Sequence, residues 1–184
     1  ICLVRNITEV RYFDVDSFAM NKFKKNLSNI KSKLVRCKNA EEAVRSADII
    51  TTCTACKAHV DVLKNSWIKP GVHINALGGD TIGKTELEFE ILRRSKIIVE
   101  YFDQCIIEGE IQRYSKDEGK KKVYAELHEI INGTKSGREN DKEITLYDSV
   151  GIGLEDYSAL IFTYELANKY NLGEELNLTP ILQD

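Results

Sequence analysis

The strongest constraint on this chain is the order in which two hydrophobic periodicities follow one another. Residues 9–15 (EVRYFDV) are β-branched and aromatic and run into Asp14 and Asp16, the pattern of a buried strand with an acidic tip. Met20, Phe23, Leu27, Ile30 and Leu34 then recur at three- and four-residue spacings, which predicts one apolar helix face capped by Asp16 or Ser17. Asn39 and Glu42 have capping-box spacing for a short helix through Ser46, and 49–54 reads as a second strand. A weaker helix over 62–67, a Lys69-Pro70-Gly71 turn, a strand over 72–77, a helix over 86–94 and a strand over 96–101 continue the alternation. Strands alternating with helices of this length predict βαβ units in a parallel sheet, with right-handed crossovers bringing the strand C-termini to one edge. Ligands of such sheets bind at that edge.

Beyond residue 101 the pattern is less regular. Residues 114–122 (YSKDEGKKK) and 133–142 (GTKSGRENDK) are polar and glycine-bearing, which predicts two exposed loops around a short helix over 123–131. A strand over 144–147 precedes Ser149-Val150-Gly151-Ile152-Gly153, and a long helix over 155–170 is stopped by Asn171-Leu172-Gly173. The length, 184 residues, is that of one domain or one domain with a small appendage. With 42% hydrophobic and 30% charged residues, disorder and collagen-like repeats are excluded. The balance of 26 Lys+Arg against 29 Asp+Glu leaves no basic footprint for nucleic acid. No apolar run is long enough for a membrane-spanning helix, and the first five residues are too short for a secretory core, so a cytoplasmic protein is expected. Five scattered cysteines, an odd number, argue for reduced thiols.

Three groups of residues could carry chemistry. Asp14 ends the first strand, where a doubly wound nucleotide-binding fold places an acid on the adenosine ribose; the alternative is a helix cap, for which Asp16 is better placed. Gly78-Gly79-Asp80 sets a carboxylate after two glycines that let backbone approach a ligand, although the same triplet also makes an ordinary turn. Lys84, Thr85 and Glu86 beyond it read as a plain helix start. Cys53, Cys56 and His59 lack the four ligands of a zinc site, so no metal is expected, and Cys53 is expected to end a buried strand. Gly151-Ile152-Gly153 lacks the third glycine of a dinucleotide loop and does not follow a first strand. His73 and His128 read as structural.

Taken together, 46–55 (SADIITTCTA), 69–87 (KPGVHINALGGDTIGKTEL) and 143–156 (EITLYDSVGIGLED) resemble the ornithine cyclodeaminase/mu-crystallin family. The middle stretch is the specific one, and its wording is closer to the ornithine cyclodeaminase branch. That branch usually has a proline where this chain has Ile82. The resemblance implies an α/β fold of Rossmann type that binds NAD, joined to a substrate and dimerisation domain. By position it implies Asp14 for the ribose, and Thr54, Ile74, Asn75, Ala76, Leu77, Lys84 and Ser149 along the cofactor. Asp80 would be the catalytic carboxylate and also touch substrate, and Val150 would line the substrate pocket. The implied reaction converts L-ornithine to L-proline and ammonia by internal hydride transfer in a homodimer. An amino acid dehydrogenase, a ketimine reductase and a non-catalytic crystallin-like protein remain alternatives within the family.

The resemblance also bears on completeness. The chain starts at Ile1, in mid-pattern, and residues 1–6 fit the end of the first helix of such a unit. The expected fold is therefore an incomplete Rossmann-like parallel sheet lacking its first strand and glycine-rich loop, over 1–153. A C-terminal helix and tail over 154–184 would follow. A chain of this kind is expected neither to bind NAD tightly nor to turn over by itself.

Overall fold

The computed structural model describes residues 1–56 and 58–176. Residues 1–150 form one compact unit and the residues from 151 onward another. The first unit contains strands β1 (Glu9–Tyr12), β2 (Lys33–Arg36), β3 (Ile49–Thr52), β4 (His73–Ala76), β5 (Lys96–Val99), β6 (Val123–Glu126) and β7 (Thr145–Asp148). Every strand pairing is parallel. β1 and β2 form one two-stranded sheet, and the others form a five-stranded sheet in the order β3-β4-β7-β5-β6. This is the expected α/β architecture. Among the described residues no strand joins β1 to β3.

One face of the sheet, carrying Ile50, Ile74, Ala76, Ile97, Val99 and Leu146, is buried, whereas the alternate positions Thr51, His73, Asn75 and Tyr147 are exposed or half-buried. Ile74, Leu87, Ile91, Leu92, Ile97, Val99 and Leu146 are fully buried in one cluster, and each such side chain contributes roughly 1.5–3 kcal/mol on burial. Helices α2 (Ala40–Val44) and α3 (Phe89–Arg94) lie between strands, as do α4 (Phe102–Glu108), α5 (Lys116–Lys122) and α6 (Leu127–Ile131).

Several elements differ from the sequence pattern, each for a physical reason. The apolar face over 20–34 is not one helix. Helix α1 (Ser17–Asn26) stops near Leu27, and Leu34 lies in β2, paired with Val10 of β1; ladder hydrogen bonds override helical spacing. Asp16 caps α1 by accepting from the Phe18 N–H at 2.7 Å. Asn39 caps α2, but Glu42 reaches the N–H of Lys38 and not that of Asn39. Residues 62–67 make only a 3-10 turn, Asn65–Trp67, while Leu63 bridges to Leu87. Helix α3 begins three residues later than expected, at Phe89, which leaves Lys84, Thr85 and Glu86 extended and buried. The charged stretch expected to be a loop holds α5, fixed by a capping box between Ser115 and Glu118 and packed through Gly119 against Ile106 and Phe102. Residues 123–131 divide into edge strand β6 and helix α6. Cys53 lies beyond the end of β3 and is exposed, not buried.

In the second unit, α7 (Gly153–Tyr170) ends at Asn171 in the left-handed conformation, φ 52°, where the sequence pattern stops it. Its large apolar residues Leu154, Tyr157, Leu160, Phe162 and Tyr164 are exposed. The tail expected over its last residues, 177–184, lies outside the described residues. No described helix is long and apolar enough to cross a membrane.

Candidate active site

The C-terminal ends of β3, β4, β5 and β7 meet along one edge of the five-stranded sheet. Thr54 follows β3, Gly78-Gly79-Asp80 follows β4, Glu100 follows β5, and Ser149 and Val150 follow β7. Asp14, beyond β1, accepts from the Asp16 N–H at 2.8 Å, and its charge reaches the thiol of Cys53. Although Cys53 is exposed, its thiol is partly enclosed, and that desolvation first, with the carboxylates of Glu86 and Asp14 second, pushes it up. Ile74 and Ala76 are wholly buried within β4, Asn75 is half-buried, and Leu77 is exposed just past the strand, its N–H donating to Thr52 at 2.9 Å.

Asp80 stands at the mouth of this edge. Its side chain is 56% exposed, whereas the Lys84 side chain bonded to it is only 5% exposed. The Lys84 ammonium donates to Asp80 Oδ1 at 3.0 Å, and this contact holds the Asp80 carboxyl below the ordinary carboxylate range. The pair thus offers an ionised carboxylate to solvent with its counter-charge sunk in the protein. The turn between them is closed by the Lys84 N–H on the Thr81 carbonyl at 3.0 Å, with Gly83 at φ +83°. Gln112 holds that turn from below, accepting from the Gly83 N–H at 2.6 Å and donating to the Lys84 carbonyl at 3.0 Å.

Beneath the edge lies a set of buried carboxylates that sequence reasoning missed. Glu86 is 1% exposed. Its Oε1 accepts from the Thr54 N–H at 2.7 Å and from the Thr54 hydroxyl, and its carboxylate fills the space that a side chain on Gly78 would need. The Glu86 N–H donates to Glu110 at 2.6 Å, with the Leu87 N–H on the other Glu110 oxygen at 3.2 Å. The N–H groups of Glu110 and Ile111 donate in turn to Asp148 at 2.9 and 3.0 Å. Burial dominates the titration of both lower acids, pushing Glu110 up to about 8 and Asp148 up to about 7. Glu100 accepts from the Ser149 hydroxyl at 3.1 Å and the Val150 N–H at 3.3 Å. No local sequence signal separates these acids from exposed ones: Glu90 is likewise followed by isoleucine and is exposed, while buried Asp148 is followed by serine.

The remaining motif residues are used locally. His59 bonds Thr85 through Nδ1 and faces Asp61 through Nε2, and it does not join Cys53 and Cys56. His73 bonds Thr145 at 2.8 Å and Asn75 at 3.1 Å, and its burial lowers its pKa. All five cysteines are free thiols.

A parallel α/β sheet with its candidate residues at the carboxyl edge, a glycine pair and an ion-paired acid define a doubly wound domain with a site of the dinucleotide-associated kind. The chain belongs to the ornithine cyclodeaminase/mu-crystallin family, whose model matches residues 1–171. It is 45% identical over 175 residues to the ornithine cyclodeaminase of Brucella abortus biovar 1 (strain 9-941), covering 95% of this chain and 48% of that protein. An archaeal alanine dehydrogenase dimer with bound NAD superposes with a TM-score of 0.86 at 36% identity, covering 97% of this chain and 55% of that one. The Δ1-pyrroline-2-carboxylate reductase of Thermococcus litoralis, in complex with NADH and L-proline, superposes with a TM-score of 0.87 at 32% identity, covering 95% and 55%. The chain therefore spans about half the length of the relatives it matches.

Proposed function

We propose that this chain is the cofactor-binding and acid-bearing part of an NAD-dependent enzyme of the cyclodeaminase type, which converts L-ornithine to L-proline and ammonia. The observation that carries the proposal is the exposed, ionised Asp80 held by buried Lys84 directly after the glycine pair at the sheet edge.

The residues present fit a dinucleotide. Thr52 Oγ1, at the end of β3, is buried at this edge without a partner among the described residues, a polar group that a ligand along the edge would satisfy. Asp14 would hold the ribose, with Thr54, residues 74–77, Lys84 and Ser149 along the cofactor. When bound, NAD supplies acceptance of hydride from the substrate Cα and its later return. The protein's own work is electrostatic. The Asp80 carboxylate orients the substrate α-ammonium, takes its proton, and stabilises the cationic imine that follows. Lys84 keeps Asp80 ionised and fixed, so that it meets the ammonium as an anion. Val150 would bound the substrate pocket.

Full-length protein supplied with L-ornithine and NAD+ is expected to release proline and ammonia with no net absorbance at the reduced-nicotinamide band. Absence of proline would overturn the assignment. Asp80→Asn is expected to lower turnover by about 10²–10⁴-fold while NADH still binds; full activity in that variant would remove Asp80 from the chemistry. The likeness to an alanine dehydrogenase and a pyrroline-2-carboxylate reductase supports a second reading, an amino acid dehydrogenase or ketimine reductase. Net formation or consumption of NADH separates it from the first. We further propose a homodimer, which light scattering on the purified protein tests.

A further inference from the structure

We propose that Glu86 is a positioning residue that sets Thr54, on the cofactor side of the edge, against the Gly78–Asp80 turn that carries the reacting acid. The proposal rests on the function proposed above and extends it to a side chain that touches neither substrate nor cofactor.

The geometry has three parts. First, one oxygen of Glu86 does all the holding: Oε1 takes both the N–H and the hydroxyl of Thr54, while Oε2 is buried with no donor among the described residues. Second, the Glu86 carboxylate occupies the place of a Gly78 side chain, so the strand end after β4 rests directly on the group that grips the strand end after β3. Third, Glu86 is held from below. Its own N–H is fixed by Glu110, whose N–H is fixed by Asp148 at the end of β7. Three strand ends are therefore tied through one line of buried acids, each accepting from backbone or hydroxyl donors. Lys84, two residues before Glu86 on the same extended segment, hands this fixed position on to Asp80. A shift of the Glu86 segment would move Thr54 and the Lys84–Asp80 pair relative to each other, and such small misplacements of reacting groups are costly.

The unused second oxygen makes the proposal sharp. If Glu86 only positions, its negative charge is dispensable and its length is not. Glu86→Gln keeps an oxygen at the Thr54 donors and the same reach. Glu86→Asp keeps the charge but is one methylene too short, and Glu86→Ala removes the group. The full-length variants are compared by amide hydrogen exchange at Thr54, NADH affinity, and kcat and KM with L-ornithine. Thr54 protection and NADH affinity should stay within about twofold of wild type in Glu86→Gln and fall on the order of tenfold or more in the Asp and Ala variants. In those two, kcat should fall while KM for ornithine changes less.

Should Glu86→Ala not fold, Glu86→Asp carries the comparison. Folded Asp and Ala variants with wild-type Thr54 protection would overturn the proposal. A Gln variant as poor as Ala would also overturn it, because the charge would then act on a ligand directly. A wild-type protein that neither binds NADH nor makes proline would remove the proposed function, while Thr54 exchange would still decide whether Glu86 holds the two strand ends together.

Discussion

Glu110 should make the stability of this protein fall as pH rises through neutrality. Its side chain is 0% exposed, and burial lifts its carboxyl from 4.5 to about 8 against the pull of the two backbone N–H groups it accepts. Between those values the folded protein holds a proton that the unfolded chain has released. Stability is therefore fully present below about pH 4.5 and is lost as pH rises toward 8, at about 1.4 kcal/mol per pH unit. Across the window the ionised form costs about 5 kcal/mol, comparable with the lower end of total domain stability. Asp148, lifted from 3.8 to about 7, acts with the same sign over a lower window. His73, whose pKa burial lowers from 6.5, acts with the opposite sign. Comparison with Glu110→Gln isolates the effect, because the amide keeps the shape and cannot ionise. Urea unfolding between about pH 5 and pH 8 should give stability curves whose difference changes by about 1.4 kcal/mol per pH unit, wild type losing ground as pH rises. Parallel curves would refute the account of Glu110 as a buried acid that folds protonated.

Two further substitutions test the frame around the site. In Gly109→Ala the new Cβ would lie 2.6 and 2.8 Å from the Asp148 oxygens, so the variant should lose roughly 1–3 kcal/mol in a denaturant titration; wild-type stability would mean that Asp148 is not locked against Gly109. Ile82→Pro, placed before Gly83 in the turn closed by Lys84 on Thr81, should gain about 0.4–1 kcal/mol by restricting the unfolded chain. A loss in thermal unfolding would show that the turn needs a different backbone at residue 82.

Much of the scaffold is legible because its signals are local. Short β-branched and apolar segments at 49–52, 73–76, 96–99 and 145–148, each set between helical or turn patterns, read as strands, and Asp16 caps its helix through a partner two residues away. Gly78-Gly79-Asp80 is visible as a candidate because its two glycines let backbone approach a ligand beside a carboxylate at a strand end, but the same triplet makes ordinary turns, and the resemblance to the family is what singles it out. The misses share a cause. Lys33–Arg36 has the spacing of a helix and becomes a strand only because β1 offers it a ladder. Lys116–Lys122 looks like solvated loop until Gly119 meets Ile106 and Phe102.

The amino-acid sequence by itself determined the parallel α/β plan and the strand-end edge on which the candidates Asp14, Thr54 and Asp80 lie. The tertiary structure alone decided that Glu86, Glu110 and Asp148 lie under that edge as buried acids. Their partners are 32, 24 and 38 residues away in the chain. A carboxylate looks solvated in any local window, and only folding brings the backbone donors that make its burial tolerable.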